Sequence, residues 1–137
     1  MNWMYYHTNA NKVREFMEAF KQDVRKEPTW PSAEEIELRL DLIEEEYDEL
    51  KEAIYNGDGT LVDVADALAD ILYVVYGAAH TFGIPIDDCF REVHVSNMSK
   101  LGEDGKPMYR EDGKVLKGPK YREPNLKETL YGEENGK

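Results

Sequence analysis

Acidic side chains on two neighbouring predicted helices carry the clearest chemical signal in this sequence. On the first helix Glu46 and Glu49 are spaced i, i+3 at the edge of an apolar stripe, and Glu45 lies one step around the helix. On the next helix three acids share one face of an otherwise apolar segment: Asp63, Asp66 and Asp70. Carboxylates gathered in this way raise one another's pKa unless cations lie between them. The pattern therefore predicts a site for metal ions.

The side chains available to such a site favour a hard cation. The chain has one Cys and no suitably spaced pair of His, and carboxylate oxygens favour Mg²⁺ or Mn²⁺ over zinc. A di-iron carboxylate bundle would carry Glu-x-x-His pairs on two helices, and none is present. The alternative is a solvated surface whose first-turn acids complement the helix dipole. That alternative explains Asp63 well and Asp66 partly, but it explains Asp70 poorly, because Asp70 lies in the middle of the apolar helix.

Four helices with short connections are expected to position these acids, which predicts an all-α, four-helix bundle. The helices are inferred from apolar periodicity, from a Ser32–Glu35 capping box and from the helix-ending Gly83. In chain order they cover about 10–26, from the Ser32 cap to Asn56, roughly 61–82, and from Pro85 to about Lys100. We therefore expect Glu45, Glu46 and Glu49 on the second helix and the Asp residues on the third.

The apolar residues of these helices predict how the bundle is filled. The first helix carries a short amphipathic pattern: Val13, Phe16, Met17 and Phe20. The second helix has a longer stripe: Ile36, Leu40, Ile43, Tyr47, Leu50 and Ile54. The third helix is apolar almost all round, which predicts burial by neighbours, since its Asp residues argue against a membrane span. We expect another subunit to complete this core, in a homodimer or homotetramer.

The C-terminal third has a different pattern. Asp-Gly pairs at 104–105 and 112–113 precede short basic and apolar runs, which predicts a small hairpin or looped extension over about 101–122. The polar, Gly-rich residues 128–137 predict a flexible tail. With 137 residues in total, we expect a single domain over 1–127.

The charge balance excludes several classes of function. Acids outnumber bases 29 to 17, for a formal net charge of −12, which argues against stable nucleic-acid binding and against docking on anionic membranes. The N-terminus lacks the pattern of a signal peptide, so a cytoplasmic location is expected. The acidity also suits a non-enzymatic helical protein, such as a partner-binding module or a DNA mimic. The mid-helix position of Asp70 and the basic C-terminal extension disfavour that alternative.

Two segments resemble the motifs of the MazG-like family, which belongs to the all-α NTP pyrophosphatases together with phosphoribosyl-ATP pyrophosphohydrolase. The family motif is Glu-Glu-x-x-Glu on one helix and Glu-x-x-Asp on the next, and Glu45, Glu46 and Glu49 match its first half. For the second half, one alignment ends at Asp70 with Asp66 as a helper. The alternative alignment is Asp63-x-x-Asp66. The apolar run after Asp70 resembles the family and favours the first alignment.

The resemblance implies an enzyme that binds Mg²⁺, or Mn²⁺, through the motif carboxylates. It implies cleavage of a nucleoside triphosphate between the α and β phosphates, to a monophosphate and pyrophosphate, by a dimer or tetramer. The metal ligands would be four carboxylates: Glu46, Glu49, Asp66 and Asp70. Glu45 would accept a proton from the attacking water.

The substrate itself would be a dUTP, another dNTP or a compound similar to phosphoribosyl-ATP. Asn97-Met98-Ser99-Lys100 resembles an Asn-x-x-Lys at the end of the family's fourth helix, and the extension resembles the phosphoribosyl-ATP pyrophosphohydrolase-like branch. Candidate substrate-binding residues are Asn97 for the base or sugar and three lysines for the β and γ phosphates: Lys100, Lys114 and Lys117.

Overall fold

The computed structural model describes residues 7–56 and 59–132; residues 57 and 58, next to the predicted end of the second helix, lie outside the described part. Within that part the chain forms five α-helices and no β-strand, which confirms the all-α class. The helices are α1 Asn9–Ala19, α2 Ala33–Tyr55, α3 Leu61–Phe82, α4 Ile86–Met98 and α5 Leu126–Tyr131. The first four are the helices that the sequence predicts. The chain divides into two compact units, Met1–Ile84 and Pro85–Lys137.

Side-chain caps start the two acid-bearing helices at the predicted residues. The Ser32 hydroxyl accepts the Glu35 N–H at 3.2 Å, and the Glu35 carboxylate accepts the Ser32 N–H at 3.4 Å, which completes the capping box of α2. The Thr60 hydroxyl accepts the Asp63 N–H at 3.1 Å at the start of α3. Gly83, in the left-handed region at φ 68°, ends α3.

Helix α1 is shorter than predicted, ending at Ala19 rather than near residue 26. The chain turns because Lys21 adopts a left-handed φ of 58°. The Lys21 N–H donates to the Glu18 carbonyl at 3.1 Å, and the Gln22 N–H donates to the Met17 carbonyl at 2.7 Å. This pair of bonds is a Schellman motif, which usually has glycine at the left-handed position. The sequence prediction extends this helix too far because it rests on apolar spacing, and no glycine marks the end of the helix.

The segment after α1 binds the last turn of α3. The backbone N–H of Arg25 donates to the His80 carbonyl at 3.0 Å, and its guanidinium donates to the Thr81 carbonyl at 2.8 Å. The N–H of Thr29 donates to the Phe82 carbonyl at 2.8 Å. Carbonyls at a helix C-terminus have no partner inside the helix, so these bonds satisfy them and attach the segment to α3.

The buried contact between α1 and α3 is small. Val13 and Met17 are the buried residues of α1. The His80 ring is buried, and its Nε2 atom is 2.7 Å from the carbonyl oxygen of Ala10. This hydrogen bond fixes α1 along the C-terminal half of α3.

Two expectations about the core are wrong for a single chain. In the predicted stripe of α2, Leu40, Tyr47 and Ile54 are each more than half exposed, and α2 has no fully buried residue. On α3, Leu61 and Leu72 are also more than half exposed. Within this unit α3 contacts both α1 and α2. The surfaces of α2 and α3 that lie away from these contacts stay uncovered. No helix within residues 7–56 and 59–132 is long and apolar enough to cross a membrane.

The second unit contains the expected ribbon after α4. Tyr109 and Val115 form an antiparallel bridge, and the Leu116 N–H donates to the Met108 carbonyl at 2.7 Å. Gly113, at φ 87°, lies in the turn between the two arms. The extension over 101–122 is thus a short looped ribbon rather than a sheet, as predicted.

The predicted tail is partly helical, which corrects the expectation of a flexible segment over 128–137. Helix α5 covers Leu126–Tyr131, and the Asn125 side chain caps it by accepting the Glu128 N–H at 3.3 Å. The cap and the half-buried leucines of α5, which packs against α4, outweigh the polar composition of this segment. Residues 133–137 lie outside the described part of the chain.

Candidate functional site

Three carboxylates from two helices meet in the first unit. Glu46 and Glu49 project from α2, and Asp70 projects from α3. One oxygen of each side chain lies within 4.8 Å of the others. The i, i+3 spacing on α2 places its two acids one turn apart on the same face, and the packing of α2 on α3 brings Asp70 opposite them. We call Glu46, Glu49 and Asp70 the acidic triad.

Burial and the charges of neighbouring acids make Glu46 and Asp70 hold their protons more tightly than usual, because both raise the pKa of these two side chains. The pKa of Glu46 rises to about 7, first because burial disfavours its charged form and then because it hydrogen-bonds to Glu49. The negative charges of Glu49, Asp70 and Glu45 raise it further. The pKa of Asp70 is also raised, by burial and then by the charges of Asp66 and Glu49. Within the described residues, no salt bridge neutralises the triad.

The triad fits a divalent metal ion. The Glu46 Oε2 atom is buried and has no hydrogen-bond partner, although buried carboxylate oxygens are normally satisfied. A cation would supply the missing partner and would remove the repulsion that raises the pKa of Glu46. The donor set is three carboxylate oxygens, which suits hard cations such as Mg²⁺ and Mn²⁺.

Other predicted acids lie at the edge of the triad or away from it. Glu45 and Asp66 are exposed and lie outside the group of converging oxygens. Each still lies near enough for its charge to raise the pKa of a triad member. Asp63 is exposed in the first turn of α3, where its N–H bonds to the Thr60 cap.

Arg39 of α2 forms no salt bridge with the triad. Its guanidinium donates to the Gln22 side chain at 3.1 Å and packs over Gly77 of α3. Arg39 precedes Glu46 by two turns and Gly77 follows Asp70 by two turns, so α2 and α3 run antiparallel. Burial lowers the pKa of Arg39, while the charge of Glu35 acts in the opposite direction. The positive charge of Arg39 therefore lies two turns from the triad along the α2–α3 contact.

The four predicted substrate-binding residues all lie in the second unit. Asn97 and Lys114 are exposed. Lys100 is half-buried, and its carbonyl accepts the Gly118 N–H at 2.8 Å, which brings the backbone of Lys100 beside that of Lys117. The ammonium of Lys117 lies 4.6 Å from the centre of a neighbouring tyrosine ring. The backbones of Lys100 and Lys117 are therefore close, while the Lys117 ammonium lies over the Tyr121 ring.

Sequence reasoning missed an exposed group of aromatic rings beside the triad. Phe16 and Phe20 belong to a stripe that predicts burial, yet only its other two members are buried. The Phe16 ring contacts Tyr73, which lies one turn after Asp70 on α3. Helical spacing places all four stripe residues of α1 towards its neighbours. It does not tell which of them a neighbour covers. The i, i+3 spacing of Asp70 and Tyr73 places Tyr73 on the acid-bearing face, but the contact of Phe16 with Tyr73 could not be predicted from the sequence.

Comparisons with known proteins cover most of the first unit and the start of the second. A family model described as phosphoribosyl-ATP pyrophosphohydrolase matches residues 13–97, which are more than half of the chain and include the triad. An uncharacterized protein of Acanthamoeba polyphaga mimivirus is 38% identical over 82 residues, which are 60% of this chain and 30% of the viral protein. This chain thus spans less than a third of that relative. The crystal structure of a "putative NTP pyrophosphohydrolase" from Exiguobacterium sp. 255-15 is 23% identical, with a TM-score of 0.47, over 88% of this chain and 90% of that one.

Proposed function

Because the chain belongs to the phosphoribosyl-ATP pyrophosphohydrolase family, we propose that it hydrolyses a nucleoside triphosphate between the α and β phosphates in a Mg²⁺-dependent reaction. Membership confirms the family resemblance and the enzyme class, a pyrophosphohydrolase, that the sequence predicts. The single observation that carries the metal dependence is the convergence of the triad, whose Glu46 Oε2 atom is buried without a partner.

In this proposal Glu46, Glu49 and Asp70 bind the metal ion, and Asp66 assists from the preceding turn of α3. The chemistry that a divalent cation supplies is neutralisation of the charge that develops on the leaving pyrophosphate. Glu46 gives up its proton on binding, because a carboxylate must be ionised to act as a ligand. The partial burial of Glu46 and Asp70 strengthens these electrostatic contacts, because less water competes for them.

Residues outside the triad complete the proposal. Glu45, exposed on the neighbouring edge of α2, accepts the proton of the attacking water. Asn97 binds the base or sugar of the substrate, and Lys100, Lys114 and Lys117 bind its β and γ phosphates. The backbones of Lys100 and Lys117 are close in the second unit, from which two long side chains can reach one phosphate chain. The substrate class is a dUTP, another dNTP or a phosphoribosyl-ATP-like nucleotide.

The test is a product assay with each dNTP, UTP, ATP and phosphoribosyl-ATP in the presence of Mg²⁺. We expect a monophosphate and pyrophosphate, and orthophosphate as the sole early product would contradict the proposed bond. Glu46→Gln and Asp70→Asn should each lower kcat by about 100-fold or more, since loss of even a supporting residue of a metal site costs 10- to 100-fold. The control is Glu37→Gln on the exposed part of α2, which should keep full activity.

Manganese binding separates this proposal from an acidic, non-enzymatic partner-binding protein or DNA mimic. Titration calorimetry of the wild type should give a saturable Mn²⁺ site that Asp70→Asn removes. Weak, unsaturable binding together with the absence of pyrophosphate from every nucleotide would favour the non-enzymatic alternative.

We also propose that the enzyme works as a homodimer or homotetramer. Within the described residues, only five hydrophobic side chains are buried: Val13, Met17, Ala67, Ala79 and Cys89. Exposed apolar residues meanwhile continue along α3, including Leu61 at 86%, Leu68 at 48% and Leu72 at 56% exposure. Such a continuous apolar face is typical of a surface covered by another subunit.

A further inference from the structure

Three aromatic rings form a partly exposed group in the first unit. Phe16 lies on α1 and Phe20 directly follows it. Their ring centres are 4.5 Å apart, and the ring planes are tilted by 32°. The Phe16 ring meets the Tyr73 ring of α3 edge-on, with centres 5.6 Å apart and an angle of 81°. The exposed fractions are 39% for Phe16, 66% for Phe20 and 41% for Tyr73. We call these three residues the aromatic group.

The aromatic group lies beside the acidic triad. Tyr73 follows Asp70 by three residues on α3, and side chains with this spacing are neighbours on a helix surface, about 5–6 Å apart at Cβ. Gly77, covered by the Arg39 guanidinium, follows on the next turn of the same face. The face of α3 therefore presents a carboxylate, an aromatic ring and a covered glycine in succession.

In a nucleotide whose phosphates are bound at the triad, the base likewise lies beyond the phosphates. The sugar and the base follow the α phosphate, and an aromatic ring beside the phosphate site can stack with the base, because every base has a π-face.

The exposed apolar residues Leu68 and Leu72 lie about 160° around α3 from Asp70. The surface expected to meet another subunit is therefore on the other side of this helix.

We propose that Phe16, Phe20 and Tyr73 bind the nucleobase of the substrate by stacking. This inference rests on the proposed function, because it needs phosphates held at the triad. The Phe20 ring is the most exposed of the three. It contacts Phe16, and Phe16 contacts Tyr73, which is one turn from Asp70 on α3. Stacking tolerates any base, so the group adds affinity for nucleotides over inorganic polyphosphates without setting base preference.

The experiment compares two probes that share phosphates but differ in the base. Calorimetry with Mn²⁺ measures binding of inorganic triphosphate and of the non-hydrolysable α,β-methylene analogues of dATP, dCTP, dGTP and dUTP. For Phe20→Leu we expect about tenfold weaker binding of every nucleotide analogue and unchanged binding of inorganic triphosphate. Phe16→Leu should behave in the same way if it folds, which circular dichroism checks.

Trp30→Leu is the matched control, because Trp30 is 83% exposed and contacts Phe82 near the end of α3, away from the aromatic group. It should leave both affinities unchanged. Nucleotide affinity unchanged in Phe20→Leu, an equal loss for both probes, or a change of oligomeric state in sedimentation would each overturn the inference. Failure of the proposed function is distinct: the wild type would release no pyrophosphate from any nucleotide.

Discussion

Glu46 of α2 and Asp70 of α3 direct carboxylate oxygens at each other across the helix contact, within 4.8 Å, although both are negatively charged when ionised. Glu46 Oε2 is buried there without a hydrogen-bond partner, and burial, followed by the interactions with Glu49 and Asp70, raises the pKa of Glu46 to about 7. Like charges held close together in a partly buried place lower the stability of the folded protein. Proteins tolerate such a loss of stability mainly at functional sites, which here indicates a cation site.

The first prediction concerns metal-free protein between pH 5.5 and 8. The folded pKa of Glu46, about 7, is above its ordinary value of 4.5, so the folded state binds this proton more tightly than the unfolded state. Stability should therefore fall as pH rises through this window. The raised pKa of Asp70 acts in the same direction. Glu46→Gln should flatten the fall and raise Tm at pH 8 by about 2–5 °C, measured by thermal unfolding in EDTA.

Exposed Glu44→Gln on the same helix is the control, and its pH profile should follow the wild type. Glu35 and Glu92 do not disturb the comparison. Their pKa values are lowered, mainly by hydrogen bonds to Arg25 and to the Asn125 backbone, so stability from them is lost only at more acidic pH. A Tm for Glu46→Gln equal to that of the wild type at pH 8 would contradict the prediction.

The second prediction is that Mn²⁺ raises the Tm at pH 8. A ligand bound only by the folded state stabilises it by about 2.7 kcal/mol at 100 times its Kd. Asp70→Asn should lose most of this increase, because it removes one of three converging oxygens. Asp63→Asn should keep it, because Asp63 lies in the exposed first turn. Equal increases in both variants would show that Asp70 is not a ligand.

Local chemistry explains which features the sequence predicts well. The Ser32 capping box, the Thr60 cap and the Gly83 end depend on bonds within about four residues, so their positions can be read directly. The convergence of Glu46 with Asp70 can also be predicted from the sequence, because an Asp in the middle of an apolar helix needs a partner on the neighbouring helix.

Features that depend on distant contacts could not be predicted in the same way. Periodicity identifies the apolar side of Leu40 or Phe16, but exposure depends on what another helix or subunit covers. The end of α1 was missed because Lys21, a residue without a turn preference, occupies the left-handed position. The short helix α5 was missed because its six residues carry too little apolar pattern to outweigh a polar composition.

The third prediction is that Lys21→Gly stabilises the protein. Lys21 has a φ of 58°, a conformation that costs a side chain about 1–2 kcal/mol and costs glycine nothing. After the entropy that glycine adds to the unfolded chain, we expect a gain of about 0.5–1 kcal/mol in urea unfolding. Lys26→Gly is the control. Lys26 is exposed without a positive φ, so only the entropic loss applies and stability should fall.

The fourth prediction separates two glycines of the α3 region. Gly83→Ala should cost at least about 2 kcal/mol, because φ is 68° and a Cβ would overlap the Glu27 carbonyl. Gly77→Ala should stay within about 1 kcal/mol of the wild type. Its Cβ would meet only the mobile end of Arg39, at 2.8 Å, and alanine gains about 1 kcal/mol of helix propensity. Urea unfolding checks both, and equal losses would contradict the account of Gly83.

The fifth prediction concerns the apolar face of α3 and follows from the proposed oligomer. A stable interface buries about 800 Å² on each partner, and a charge placed inside it costs several kcal/mol when left unpaired. Leu68→Glu and Leu72→Glu should therefore shift the protein from an oligomer to a monomer in sedimentation velocity, with a lower Tm. Ala33→Glu, which adds the same charge at the exposed start of α2, should leave the oligomer intact. A wild type that sediments as a monomer at micromolar concentration would refute the interface. Retention of Mn²⁺ binding in the monomeric variants would then show that one chain is enough to form the acidic triad.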